Sequence, residues 1–168
     1  DGNLKFTILP KSKIGDESIA AFTITAGESE IIKPSSILIG LDGKTEKEFR
    51  ITNINRVSVT DNWINKFGER KEVPDNYNQM KLFMRNNDLM INLICRAYNE
   101  GIAFACEFPE QEGIDSLILT DEKITFNFPA DHFAWSAARA QAQYSRVPLS
   151  QIEKGCERPL VIEIDTNL

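Results

Sequence analysis

The sequence predicts an all-β fold, an antiparallel β-sandwich, and two observations carry that reading. Short apolar runs recur along the chain with Gly, Pro, Asn and Asp between them, and several of these runs alternate apolar and polar residues with period 2. LKFTIL (4–9) ends at Pro10, and SIAAFTIT (18–25) ends at Ala26-Gly27-Glu28. EIIKPSSILIGL (30–41) is interrupted at Pro34 and closed by Asp42-Gly43. FRITNI (49–54) and RVSVTD (56–61) read as two strands of moderate length. NYNQMKLFMR (76–85) places Asn78, Met80, Leu82 and Met84 on one face, with Tyr77, Lys81 and Arg85 on the other. Asn86-Asn87-Asp88 then turns the chain into the next strand. Further strands are read at SLILT (116–120), KITFNF (123–128) and PLVIEI (159–164). AWSAARAQAQY (134–144), rich in Ala, Gln and Arg, is the one helical candidate and is otherwise a loop. No internal repeat, low-complexity tract or linker divides residues 1–168, so a single domain is expected.

RAYNEGIAFACEFP (96–109) is the clearest element, two strands around a tight Asn-Glu-Gly turn. Ile91, Leu93, Cys95 and Ala97 lead into it, and Ile102, Phe104, Cys106 and Phe108 lead away, each set on one face. With Glu100 and Gly101 at the centre of the turn, Cys95 faces Cys106, Leu93 faces Phe108 and Ala97 faces Phe104. A slip of one residue would set Leu93 against Glu107 and send the apolar set to the wrong face.

With 168 residues the chain can bury a sizeable core. A net charge of −6 and a pI near 4.9 argue against nucleic acid as a partner. No apolar run reaches the roughly 18 residues that a membrane span needs. The opening at Asp1-Gly2, without Met or a signal peptide, reads as a processed or trimmed chain. Cys95, Cys106 and Cys156 lack metal-ligand spacing and read as free thiols, two of them in the core. A Cys95–Cys106 disulfide in an oxidising compartment is the alternative.

Little in the sequence carries chemistry. His132 is the only histidine, and its neighbour Asp131 makes a pair for which a structural role is expected. No nucleophile elbow, phosphate loop, dinucleotide fingerprint, HExxH or CxxC pair is present. Glu107 and Glu163 read as solvated neighbours of buried residues. Neither catalytic nor metal-binding residues are assigned. The aromatics Trp63, Tyr77, Trp135 and Tyr144 stand in or beside irregular segments, where they can stack on sugar rings, fill an interface or simply pack. Trp63 precedes FGER (67–70) and the NYN triplet (76–78), a polar stretch of the kind that is functional or docked on something.

Several of these segments together resemble the N-terminal domain of glycoside hydrolase family 97. They are the Asp1-Gly2-Asn3-Leu4 opening, IKPSSILIGL (32–41), the Trp63–Gln79 stretch with FGERKEVPDNYNQ, the hairpin at 96–109, ITFNFPADHFAW (124–135) and ERPLVIEI (157–164). Phe67 stands where the family usually has Trp, Gln79 where Glu is common, Ala105-Cys106 where Arg-Tyr is typical, and Gln143 where Glu often precedes Tyr144. These departures mark a divergent member.

The resemblance implies a β-super-sandwich like that of galactose mutarotases, packed in the parent enzyme against a catalytic (β/α)8 barrel. It implies a bacterial, periplasmic or secreted α-glucosidase or α-galactosidase that uses calcium. The barrel holds the catalytic carboxylates and most calcium ligands, so calcium is expected in the full enzyme and not in this part of it. The implied role is non-catalytic: to brace the barrel and shape one wall of the site that takes the oligosaccharide. Trp63, Tyr77, Asn78, Trp135 and Tyr144 are the candidate carbohydrate-binding or domain-interface residues. The last strands of the sandwich are expected beyond Leu168, which would leave an edge open to pairing in a dimer. A free-standing carbohydrate-binding or adhesion module is the alternative. A mutarotase is disfavoured, because its acid–base pair usually includes His and only His132 exists.

Overall fold

The computed structural model describes residues 3–9, 19–41, 44–45, 49–86 and 89–164. The strands in chain order are β1 (Leu4–Leu9), β2 (Ala20–Ala26), β3 (Ser29–Leu41), β4 (Lys44–Thr45), β5 (Arg50–Val59), β6 (Asn62–Ile64) and β7 (Glu72–Pro74). There follow β8 (Tyr77–Arg85), β9 (Met90–Ala97), β10 (Ile102–Glu107), β11 (Leu119–Ile124), β12 (Phe133–Ser136), β13 (Ser145–Pro148) and β14 (Val161–Ile162). One 3-10 turn, Leu149–Gln151, is the only helical piece among the described residues.

All pairings are antiparallel. One sheet runs β1-β2-β3-β11 with β4 against β3, and a second runs β10-β9-β8-β5. A small sheet, β13-β12-β14, and a two-stranded ribbon, β6-β7, stand beside them. The two large sheets close face to face over one core. Phe22 and Ile37 from the first meet Leu82, Ile91 and Leu93 from the second, all five fully buried. Phe22 is the centre. Its ring stacks on Phe6 at 5.1 Å and tilts against Phe104 at 5.6 Å, so strands of both sheets meet at one aromatic cluster. This is the antiparallel sandwich that the alternation predicts.

Several local expectations are corrected. Pro34 does not interrupt the third run. Between the pairs Phe22↔Ser35 and Ile24↔Ile32, Thr23 faces both Lys33 and Pro34, so the proline sits in a bulge where the ladder spares its missing N–H. Ser35 is fully buried there, and its hydroxyl donates to the Lys33 carbonyl (2.8 Å) while accepting the Asn127 N–H (2.9 Å). The runs at 49–54 and 56–61 form one strand, β5, because Asn55 pairs with Lys81 without breaking the ladder to β8. The runs at 116–120 and 123–128 contribute to a single strand, β11, across Asp121-Glu122. Residues 134–144 form no helix. Ala134–Ser136 pair with β13, and Ala134 and Trp135 also pair with β14. Ala142 N–H then closes a turn on Arg139 O (3.0 Å), with Gln141 at φ 66°. An isolated helix of that length is marginal, and two waiting strands outcompete it.

The hairpin has the expected faces in a different register. Cys95 pairs with Phe104, Leu93 with Cys106 and Ala97 with Ile102, with Asn99-Glu100 at the tip and Tyr98 N–H donating to Gly101 O (2.8 Å). The offset from the expected pairing is two residues, which leaves every side chain on its face, so hydrophobic pattern cannot choose between the two registers. Cys95 and Cys106 become diagonal neighbours, typically about 7–8 Å apart and outside disulfide reach. All three cysteines are free. Burial pushes the Cys95 thiol up to about 12, with Cys106 adding to the shift, and pushes Cys106 up to about 11.

Two outcomes test this packing. Phe22→Ala should cost about 3–5 kcal/mol in denaturant unfolding, and a loss below about 1 kcal/mol would contradict the central position of the ring. The buried thiols ionise more easily in the unfolded chain. Their contribution to stability is therefore intact below the ordinary thiol value of 9.0 and is lost as pH rises toward about 12. Denaturant midpoints should fall across that window, and Cys95→Ala should flatten the fall.

Candidate functional site

Two solvent-facing surfaces collect the aromatics. The first is the β6–β7 ribbon with the head of β8. Trp63 pairs with Val73 and Ile64 with Glu72, and Asn65 N–H closes the ribbon on Lys71 O at 2.8 Å. Gly68 has φ 125° and would place a Cβ 2.9 Å from Asn65 Nδ2, so only glycine fits that turn. The ribbon leaves Trp63 51%, Ile64 56% and Phe67 87% exposed. It is anchored where Asp75 N–H donates to Asp61 O (2.8 Å) and Asp61 N–H donates to Asn76 Oδ1 (3.2 Å).

Tyr77 and Asn78 follow directly and point to opposite faces of β8. The Arg96 guanidinium lies 4.2 Å over the Tyr77 ring, and Tyr98 lies beside that ring at 5.3 Å. Arg96 Nε donates to Gln79 Oε1 (2.9 Å), and Tyr98 OH donates to Asp75 Oδ1 (3.1 Å). Asn78 Oδ1 accepts the Ser58 hydroxyl at 2.6 Å. Tyr77 is therefore a sandwiched packing residue, while Trp63 belongs to an unpacked surface.

The second surface is one face of the small sheet. Phe133 and Trp135 are alternate residues of β12, Arg146 faces Trp135 from β13, and Val161 faces it from β14. Trp135 Nε1 donates to Glu163 Oε1 (2.8 Å), and Arg146 grips both Glu163 oxygens, its shortest bond 2.6 Å from Nη2 to Oε2. The same guanidinium lies 3.8 Å over the Phe133 ring. Arg146 and then Trp135 hold the Glu163 carboxyl below the usual carboxylate range. The result is a platform of two aromatic rings held by one fork–fork ion pair, open to solvent.

Among the expected residues, Trp63 lies on the ribbon, Tyr77 and Asn78 lie on opposite faces of the adjoining head of β8, and Trp135 lies on the small sheet. Tyr144, half exposed, immediately precedes β13 of the small sheet. No strand pairing joins the ribbon to the small sheet. Phe133, Arg146 and Glu163 were not singled out as site residues. The i, i+2 spacing of Phe133 and Trp135 is their signal, legible only once 133–136 is read as a strand. Glu107, also read as solvated, forms a bridge with Lys81 (2.6 Å) and accepts from the buried Asn92 amide (2.7 Å) on the outer face of the second sheet. Asp131 accepts both the N–H and the hydroxyl of Ser150, and His132 sets its ring edge-on to Phe128. His132 Nε2 is buried without a hydrogen-bond partner among the described residues. The described residues contain no group of three or more His, Cys, Asp or Glu able to hold a metal ion. No described helix is long and apolar enough to cross a membrane.

The fold is shared with solved enzymes. A Glycoside Hydrolase Family 97 enzyme from Pseudoalteromonas sp. strain K8, in complex with panose, superposes with a TM-score of 0.76 and 22% identity over 89% of this chain and 24% of that one. The acarbose complex of a family 97 enzyme from the same strain gives 0.75 and 22%, over 88% and 23%. A β-arabinopyranosidase gives 0.79 and 15%, over 94% and 28%. The chain spans about a quarter of the length of these relatives. The family described as Glycosyl-hydrolase 97 N-terminal matches residues 1–168, and the chain belongs to it.

Proposed function

We propose that this chain is the non-catalytic N-terminal domain of a larger, calcium-dependent α-glycosidase of the α-glucosidase or α-galactosidase type, exported to the periplasm or secreted. One observation carries the reading. The family match fills the chain, while the chain fills only about a quarter of relatives that include complexes with panose and acarbose. A domain of that kind needs surfaces for the rest of its enzyme, and the ribbon and the platform supply two. In this reading Trp63, Ile64 and Phe67 seat against the catalytic barrel, and the Trp135 platform faces either the barrel or the wall of the sugar site. In this reading the calcium ligands and catalytic carboxylates lie on the barrel side.

A free-standing carbohydrate-binding module is the second reading. The platform favours it, because two fixed aromatic rings beside a carboxylate and a guanidinium suit stacking on a sugar with hydrogen bonds at its rim.

Purified residues 1–168 should give no turnover of nitrophenyl α-glucoside or α-galactoside with calcium present. Turnover that survives repurification would overturn the non-catalytic reading. Calorimetry with panose separates the two readings: no saturable heat is expected, and saturable binding abolished by Trp135→Ala would favour the module. Glu163→Gln removes the charge that grips Arg146 and weakens the acceptor for Trp135 Nε1, which should shift tryptophan emission without changing the far-ultraviolet circular dichroism. Because the Glu163 pKa is lowered, the wild-type platform should persist above the ordinary carboxylate value and be lost as pH falls through the lowered one. The emission of wild-type protein should follow that titration, and the Glu163→Gln variant should not.

A further inference from the structure

We infer that the back of the small sheet, the face turned away from Trp135, carries a binding pocket for one uncharged sugar ring. Alternation along β12 and β13 sets this face. Phe133, Trp135 and Arg146 build the platform, so Ala134, Ser136, Ser145 and Val147 face the other way, with Ser136 directly opposite Ser145. Residues of the 137–144 turn and of the 151–153 segment stand beside that face, and together they bound a pocket of about 230 Å³.

Size and chemistry restrict the ligand. Pockets for drug-sized ligands occupy roughly 300–1,000 Å³, so about 230 Å³ suits a single ring and not an oligosaccharide. Ser136, Gln143, Ser145, Gln151 and Glu153 line it: two hydroxyls, two carboxamides and one carboxylate. None of these five side chains has a hydrogen-bond partner among the described residues. On the platform side the polar groups are matched to one another, as Glu163 is to Trp135 and Arg146, so the unmatched set on the back is the exception. Ala142, Val147 and Ile152 supply apolar lining. A sugar ring divides in the same way, with C–H groups on its faces and hydroxyls around its rim. Its hydroxyls both donate and accept, as the serine and carboxamide groups do, and a carboxylate accepts from two neighbouring hydroxyls at once. Glu153 is the only charged residue of the described lining, so an anion meets repulsion there, and a metal ion is poorly served by one carboxylate.

The walls are fastened independently of any ligand. Asp131 accepts the N–H and hydroxyl of Ser150, and the His132 carbonyl accepts the Leu149 N–H (2.9 Å), which ties the segment carrying Gln151 to the start of β12. Glu157 ties the other wall: its N–H donates to Ala137 O (2.8 Å), and its Oε1 accepts the Ala140 N–H (3.1 Å). Gln141 then takes φ 66°, a left-handed conformation that costs a non-glycine residue free energy, and Ala142 and Gln143 follow it into the lining. Groups held in place bind without the ordering cost that mobile groups incur.

Nuclear magnetic resonance on isotope-labelled residues 1–168, titrated separately with glucose, galactose and arabinose, tests this. At least one sugar should move the side-chain amides of Gln143 and Gln151 and the backbone amides of Ser136 and Ser145 along one saturable curve. Gln151→Ala should weaken binding about fivefold. Ala138→Trp, which fills the pocket from an exposed position, should abolish it. No saturable shift with any of these sugars overturns the inference. So does a shift centred on the Trp135 indole N–H, which would put the sugar on the platform, and so does saturable binding of phosphate, methylammonium or calcium at these amides in place of the sugars. In the full-length polypeptide, comparing wild type with Ala138→Trp isolates the pocket from any other sugar site. The saturation-transfer signal of the bound sugar should fall in the variant; equal signals would mean that the rest of the polypeptide covers the pocket, and overturn the inference. Should residues 1–168 fail to fold alone, that comparison decides by itself. Turnover by residues 1–168 bears on the parent-enzyme reading only, so the two fail separately.

Discussion

The burial of Phe22 is the constraint on which the rest of the structure depends. Its ring is covered by Phe6 from β1 and Phe104 from β10, so neither sheet encloses it alone. Covering it forces the two sheets into contact, and that contact fixes which face of every neighbouring strand points inward. The Ile37, Leu82, Ile91 and Leu93 side chains follow from the same requirement, each on an inward-facing position of its strand. Burial of apolar area at roughly 25 cal/mol per Å² dominates here, because polar groups inside the layer are few and satisfied.

Where the pattern is broken, the polar bookkeeping stays closed. Pro34 enters a central strand only because a bulge leaves it opposite Thr23 together with Lys33. The buried Ser35 next to it is bonded on both sides, to Lys33 O and by Asn127 N–H. Asn127 also donates from its side chain to Pro34 O at 2.6 Å, so a distant segment ties down the bulge. A strand-breaking residue has become the point where the first sheet is fastened to the 125–128 segment, alongside the Thr125–Ser36 contacts.

The two exposed aromatic surfaces are built in different ways. The ribbon holds its backbone through hydrogen bonds and leaves its large side chains without partners, an arrangement that gives shape before contact. The platform instead spends its polar groups internally: Glu163 receives Trp135 and Arg146 together, and Arg146 covers Phe133. Stiff aromatic groups lose little conformational freedom on association, and this suits both surfaces to docking.

The sequence by itself determined the sandwich class, most strand locations, the inward faces of the hairpin and the family, because period-2 alternation and turn residues act locally. It also singled out Trp63 and Trp135. Tertiary structure decided what local rules leave degenerate. A two-residue shift keeps all faces the same, so the pairing of Cys95 with Phe104 awaited the turn at Asn99-Glu100. Ala134–Ser136 became strand because β13 and β14 were there to pair with them, against their own helical preference. Arg146 and Glu163 lie 17 positions apart and meet only across the small sheet, so no spacing rule could join them to Trp135. Long-range pairing is paid for by burial and ladder bonds that exist only after folding, and a sequence read along its length does not contain them.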